Sequence, residues 1–166
     1  MKKTHLALAA HASMIQAKES LVAMQSHQLE SFGLTISRFR VLELLLRGGP
    51  MSQSDLGALL FWGHSNTHFL VSKLEGWGLV VRKPEERDKR VATIHLTPEG
   101  EKLIAEAFPL HAMLVRAQMS VLETREQETL CRLCMKLSQG DAGRFILELA
   151  SSAREEITEA EETVER

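Results

Sequence analysis

Apolar side chains recur every three or four positions along most of this chain, the period of an amphipathic α-helix. Over the first thirty residues Ala7, Ala10, Met14, Ala17, Leu21 and Met24 form such a stripe, and Leu8, Ile15, Val22 and Leu29 widen it. One long helix is predicted, ended by Ser31-Phe32-Gly33. A stripe this wide needs a covering partner, either the rest of the chain or a second chain. Thr35 as N-cap, followed by Phe39, Leu42, Leu45 and Leu46, predicts a second helix that Gly48-Gly49-Pro50 breaks. A third starts at Ser52, where Ser52-Gln53-Ser54-Asp55 resembles a capping box with Asp in place of Glu. Leu56, Leu59 and Leu60 are its buried side. Gly63 turns the chain into a fourth helix, with Thr67, Leu70, Val71 and Leu74 on one face.

After Gly78 the pattern changes. Leu79–Lys83 and Val91–Leu96 are rich in β-branched residues, and the charged run from Pro84 to Arg90 separates them, so a hairpin is predicted. Thr97-Pro98 caps a long helix that is apolar almost all round, from Leu103 and Ile104 through Phe108, Met113 and Val115 to Leu122. It should be buried on several sides and kinked at Pro109. Thr124, with Gln127 three residues on, caps another helix with Leu130, Leu133, Cys134 and Leu137 on one face. Cys134 is expected in the core and Cys131 at its edge. Ile146, Leu149, Ala150, Ala153, Ile157 and Ala160 make a last stripe. It reads as an added dimer helix, with a frayed end after Thr158 as the alternative.

Helix, Gly-containing turn, helix and charged hairpin is the order of a winged helix-turn-helix. The expected fold is therefore mainly α: a winged helix-turn-helix with a small β-hairpin wing over residues 34–97. Residues 1–31 are expected to be an N-terminal dimerisation helix, and residues 98–166 C-terminal dimerisation helices with an acidic tail.

Charge sharpens this picture locally. The 166 residues carry a net charge of −2, so overall basicity does not point to nucleic acid. Yet Thr35–Thr97 holds 9 Lys/Arg against 6 Asp/Glu, and Asp141–Arg166 holds 3 against 8. The middle is mildly basic and the tail acidic, the asymmetry of a binding module. Apolar residues make up 44%, enough for a buried core. The apolar run Leu6–Ala10 is too short for a signal core, no run approaches a membrane span, and two cysteines form no disulfide framework. A cytoplasmic protein is expected.

With its apolar face inward, the fourth helix presents Ser65, Asn66, His68, Phe69, Ser72 and Lys73 to a major groove, where base edges carry a distinguishable pattern of donors and acceptors. Asn66 suits adenine, Ser65 and His68 suit bases or phosphates, and Lys73 suits phosphate. Phe69 would meet a thymine methyl or pack against the neighbouring helix. Ser52 and Gln53, opening the third helix, join this surface. Arg87, Lys89 and Arg90 at the hairpin tip suit a narrow minor groove; Glu85, Glu86 and Asp88 would otherwise make the tip an ordinary solvated turn.

The run Leu74-Glu75-Gly76-Trp77-Gly78-Leu79-Val80-Val81-Arg82, then Arg87-Asp88-Lys89-Arg90 and Leu96-Thr97-Pro98-Glu99-Gly100, resembles the MarR family of bacterial transcriptional regulators over roughly Phe32 to Leu137. The resemblance implies a homodimer with interlocked terminal helices, acting on pseudo-palindromic operators and often released by a small ligand. A repressor is expected. Two features depart from the family: Phe69 stands where an Arg is common, and the chain after Ser138 is longer. For an effector cleft, His11, Arg38, Phe39 and His111 are the candidate lining residues.

Other chemistry is weaker. His64 and His68 have a metal-compatible spacing, but no Cys or carboxylate lies close in sequence, and no metal or other cofactor is expected. Cys131 and Cys134 lie inside a helix rather than at its start, which argues against a redox pair. No nucleophile elbow, phosphate loop or metal triad is present, so an enzyme is not expected. The alternatives are a regulator that docks protein through a degenerate winged helix, or a redox- or metal-responsive relative.

Overall fold

The computed structural model describes residues 2–84 and 92–138. In chain order these form α1 (Lys2–Glu30), α2 (Ile36–Gly48), β1 (Met51–Ser52), α3 (Gln53–Leu60), α4 (His64–Gly76), β2 (Val80–Pro84), β3 (Ala92–Leu96), α5 (Pro98–Met119) and α6 (Thr124–Ser138). The fold is mainly helical with one small antiparallel sheet, as the pattern predicts. The wing-tip cations Arg87, Lys89 and Arg90, and the acidic stripe from Ile146 onward, lie outside the described residues.

Caps set the helix boundaries. The Thr35 side chain accepts from the Arg38 N–H and opens α2. Ser52 accepts from the Asp55 N–H at 3.1 Å, while its hydroxyl donates to the Asp55 carboxylate at 2.7 Å. The shorter Asp takes the hydroxyl proton, where a Glu would reach back to the cap's backbone N–H. Phe61 ends α3 with a left-handed φ of 56°, and after one more residue Gly63 is the N-cap of α4. At the start of α6 the cap lies one residue earlier than predicted. Glu126 reaches back to the Glu123 N–H at 2.8 Å, while the Gln127 amide donates to Met119 and Leu122 carbonyls.

The core is formed by the inward faces of α2 to α4, the sheet and the start of α5. Phe39, Val41, Leu42, Leu56, Val71, Leu74, Ile94 and Ile104 are all buried. Each such side chain contributes about 1.5–3 kcal/mol by leaving water. Thr67 is the buried polar member, and its hydroxyl donates to the Gly63 carbonyl at 3.2 Å. Its neighbour Gly57 lets α3 and α4 pack closely: a Cβ there would lie 3.0 Å from Thr67 Oγ1 and 3.2 Å from the Trp62 carbonyl oxygen, tighter than an ordinary contact.

The sheet has the order β1-β3-β2. Met51 pairs with Ile94 and Val80 with Leu96. The short strand β1 was not anticipated, because two residues are too few to show a period. Alternation along β2 puts Val80 and Arg82 on the helix-facing side and Val81 and Lys83 on the other.

Two expectations about packing are corrected. α5 is not covered all round: Ile104 and Ala107 are buried, but Leu110 and Met113 are 50% and 67% exposed. α6 leaves its stripe open, so Cys134 is exposed, as is Cys131. The apolar periods are real, but nothing among the described residues covers these faces. On α1, likewise, residues 4–20 are exposed throughout.

Where the hairpin meets α5 the packing is tightest. The Thr97 hydroxyl donates to the Gly78 carbonyl at 2.6 Å and accepts from the Gly100 N–H at 3.0 Å. A Cβ on Gly100 would stand 2.0 Å from the Leu79 carbonyl oxygen. Because that neighbour is backbone, it cannot swing aside. Gly100→Ala should therefore destabilise the protein by about 3 kcal/mol, at the upper end for overpacking, read as a lower urea midpoint.

Candidate nucleic-acid interface

The buried face of α4 (Thr67, Leu70, Val71, Leu74) determines what its other face presents. Ser65, Asn66, His68, Phe69 and Lys73 are exposed along it, and Ser72 is half-buried. Gly63 caps the helix without a side-chain bond, so no cap side chain occupies the first N–H groups at the positive end of the helix dipole. That end is suited to a phosphate. Phe69 is 59% exposed and does not pack into the neighbouring helix. Lys73 Nζ lies 5.6 Å from the centre of its ring, a cation–π arrangement that lays the ammonium along the outward face.

The other sequence-selected residues of this surface are held internally. Ser52 is committed to its cap. Gln53 lies with its Nε2 3.3 Å from His64 Nε2, and its Oε1 accepts from Arg82 at 3.4 Å. Ser72 Oγ accepts from Arg82 at 3.2 Å. Arg82 also pairs with the Glu75 carboxylate, whose other oxygen accepts the Arg82 backbone N–H at 3.3 Å. His64, Glu75 and Arg82 thus belong to this surface although sequence reasoning did not select them. One signal was available: period-two alternation puts a charged Arg82 on the inner face of β2, and a half-buried charge needs partners.

On the outer face of the wing, the Thr93 hydroxyl lies 2.9 Å from His95 Nε2. Burial, with Lys83 nearby, holds the His95 imidazole below its ordinary pKa. Among the described residues no three His, Cys, Asp or Glu side chains cluster as metal ligands. None of their helices is long and apolar enough to cross a membrane.

Of the four cleft candidates, two meet. Phe39 and His111 stack with ring centres 4.2 Å apart and planes tilted by 44°. His111 Nδ1 lies 3.3 Å from Gln28 Oε1, and Gln28 Nε2 is buried with no hydrogen-bond partner among the described residues. Arg38 points elsewhere, stacking 3.9 Å over the Trp77 ring at the end of α4. His11 lies exposed on α1, about 25 Å along the helix from Gln28 at 1.5 Å per residue.

Comparison with known proteins follows the same lines. The sequence model of the MarR family matches residues 32–91. The Bacillus subtilis HTH-type transcriptional regulator YkoM is 34% identical over 104 residues, covering 63% of this chain and 68% of that protein. AbsC, a MarR family regulator from Streptomyces coelicolor, superposes with a TM-score of 0.74 at 23% identity, over 80% of this chain and 91% of its own. The organohalide-sensing regulator RdhR, crystallised with 2,4-dichlorophenol bound, has a TM-score of 0.70 at 21% identity, covering 80% and 79%.

Burial against Phe39 lowers the pKa of His111, so the folded protein binds its proton less readily than the unfolded chain. The contribution of the neutral ring is complete above the unfolded value near 6.5 and is lost as pH falls below it. The thermal midpoint should therefore drop as pH falls below about 6.5. His111→Gln should flatten that part of the profile.

Proposed function

The chain belongs to the MarR family of DNA-binding transcriptional regulators, and on that footing we propose that it acts as a homodimeric repressor on a pseudo-palindromic operator in the cytoplasm, released by a small ligand. The observation that carries this reading is the outward face of α4. Five exposed side chains able to contact DNA stand on a helix whose opposite face is buried, beside a basic wing root.

The dimer follows from uncovered apolar surface. Leu6, Leu8, Met14 and Ile15 on α1 and Leu130, Leu133 and Leu137 on α6 are exposed in the protomer. A helix of 29 residues with its first two-thirds bare gains stability only by packing on something else. A second copy covers both faces and sets the two α4 helices one DNA turn apart, roughly 34 Å. Arg87, Lys89 and Arg90 would then reach the flanking minor grooves.

The ligand site is proposed at Phe39, His111 and Gln28. A neutral imidazole stacked on an aromatic ring, beside an amide N–H without a partner, suits a small aromatic molecule bearing an acceptor oxygen. RdhR, which shares the fold, takes 2,4-dichlorophenol. Arg38 and His11 would serve other ends: Arg38 ties α2 to Trp77, and His11 would face the partner copy.

Footprinting on DNA flanking the protein's own gene, with and without candidate aromatic ligands, tests the whole reading. Asn66→Ala should relax preference at one base position at a cost of about 1–3 kcal/mol. Arg90→Ala should weaken binding to every sequence and lower the salt slope by about one unit. Sedimentation should give a dimer. A chain that binds no duplex even at low salt would instead point to protein docking.

A further inference from the structure

We propose that Arg82 is a positioning residue: it locks the wing root to α3 and α4 and fixes Gln53 and Ser72 as hydrogen-bond donors toward DNA. This rests on the reading of α4 as the DNA-contacting helix.

The geometry is that of a fork closing on three elements. Arg82 projects from the helix-facing side of the edge strand β2 and is largely buried, its side chain 25% exposed. A guanidinium carries five N–H donors in one plane and no acceptor. Here three of them go to the Glu75 carboxylate and the Ser72 hydroxyl on α4, and to the Gln53 carbonyl on α3. Gln53 Nε2 then reaches His64 at the start of α4. The polar chain therefore runs from the wing root through the middle of α4 to the first residue of α3 and back to the first residue of α4.

Two consequences follow. Glu75 offsets the Arg82 charge and takes both its backbone and side-chain donors, so Arg82 is not a free phosphate ligand. Arg82 occupies one lone pair on Ser72 Oγ and one on Gln53 Oε1, which biases the two residues toward offering outward the Ser72 O–H and the Gln53 N–H not turned to His64. A donor matches phosphate oxygens and the acceptor edges of guanine, adenine N7 or thymine O4, and mismatches the amino groups of cytosine and adenine. Arg82 would thus shape sequence preference without touching a base.

The test compares Arg82→Lys, Glu75→Gln and their double variant, with Arg82→Ala for the salt slope, against the wild-type chain. Each is titrated against the best duplex that the wild type selects from a random-sequence pool, and against a scrambled duplex, over a salt series. Arg82→Lys keeps the charge but not the fork. It should lower the ratio of selected to scrambled affinity by about tenfold, with scrambled binding and the salt slope unchanged. A loss of folding alone would lower both affinities together. Glu75→Gln should lower the same ratio, and the double variant should be no worse than either single one, because all three break one unit. If Arg82→Lys unfolds, the Glu75→Gln ratio decides the matter. An unchanged ratio in the folded variants overturns the inference, as does a salt slope lowered by about one unit in Arg82→Ala with Glu75→Gln silent, which would make Arg82 a direct phosphate contact. A wild type that selects no duplex overturns the DNA reading itself, and this inference with it.

Discussion

At one point in this fold the end of α4, the root of the wing and the start of α5 are held by a few bonds around a single peptide. The Leu79 N–H donates to the Leu74 carbonyl at 3.0 Å, and the Leu79 carbonyl accepts from the Thr97 N–H at 3.1 Å. Thr97 bonds Gly78 with its hydroxyl, and Gly100 brings α5 into contact with the Leu79 carbonyl. Because the contact is backbone against backbone, it has little freedom to adjust. The angle of the wing to α4, and of both to the long α5, is set there. Everything the surface presents depends on that angle.

The second constraint is how α2 is gripped. Adjacent residues hold opposite neighbours: Phe39 stacks on His111 of α5, and Arg38 stacks on Trp77 beside the end of α4. A shift of α5 against Phe39 would thus be passed through α2 to α4, the helix proposed to face DNA. Such a coupling needs only two packings that a ligand stabilises unequally. The half-buried His111 and the Gln28 amide, whose Nε2 has no hydrogen-bond partner among the described residues, are where the proposed ligand would have most to gain.

The surface proposed to face DNA is of mixed character. Ser65, Asn66, His68, Phe69 and Lys73 are free to adapt, whereas Ser52, Gln53 and Ser72 are held by neighbours. Free side chains lose rotamer entropy on binding; held ones do not, but their donor and acceptor sense is decided in advance. Phe69, where a basic residue is common in the family, keeps an apolar ring exposed under the Lys73 ammonium. On the proposed reading, that pair would offer a methyl group and a phosphate a surface in place of a guanidinium fork.

Much of this architecture was legible before any coordinates. Thr35, Ser52, Gly63 and Thr97 mark helix starts because capping and turning are local properties of a few residues. The inward face Thr67, Leu70, Val71 and Leu74 follows from the helical period, and with it the outward face. Where the sequence fell short, the determinants were long-range. The strand β1 exists only because Ile94 is there to pair with Met51. The Cys134 stripe looked like core because periodicity reports that a face is apolar, not what covers it. Arg38 and His11 parted from Phe39 and His111 because a side chain's direction depends on neighbours distant in the chain. Arg82 read as one letter of a motif until the fold brought Glu75, Ser72 and Gln53 around it. Local caps, turns and periods therefore determined the elements and the face that α4 turns outward. Only tertiary packing decided which polar groups on that face are free, because hydrogen-bond partners 7, 10 and 29 residues away meet only in the folded chain.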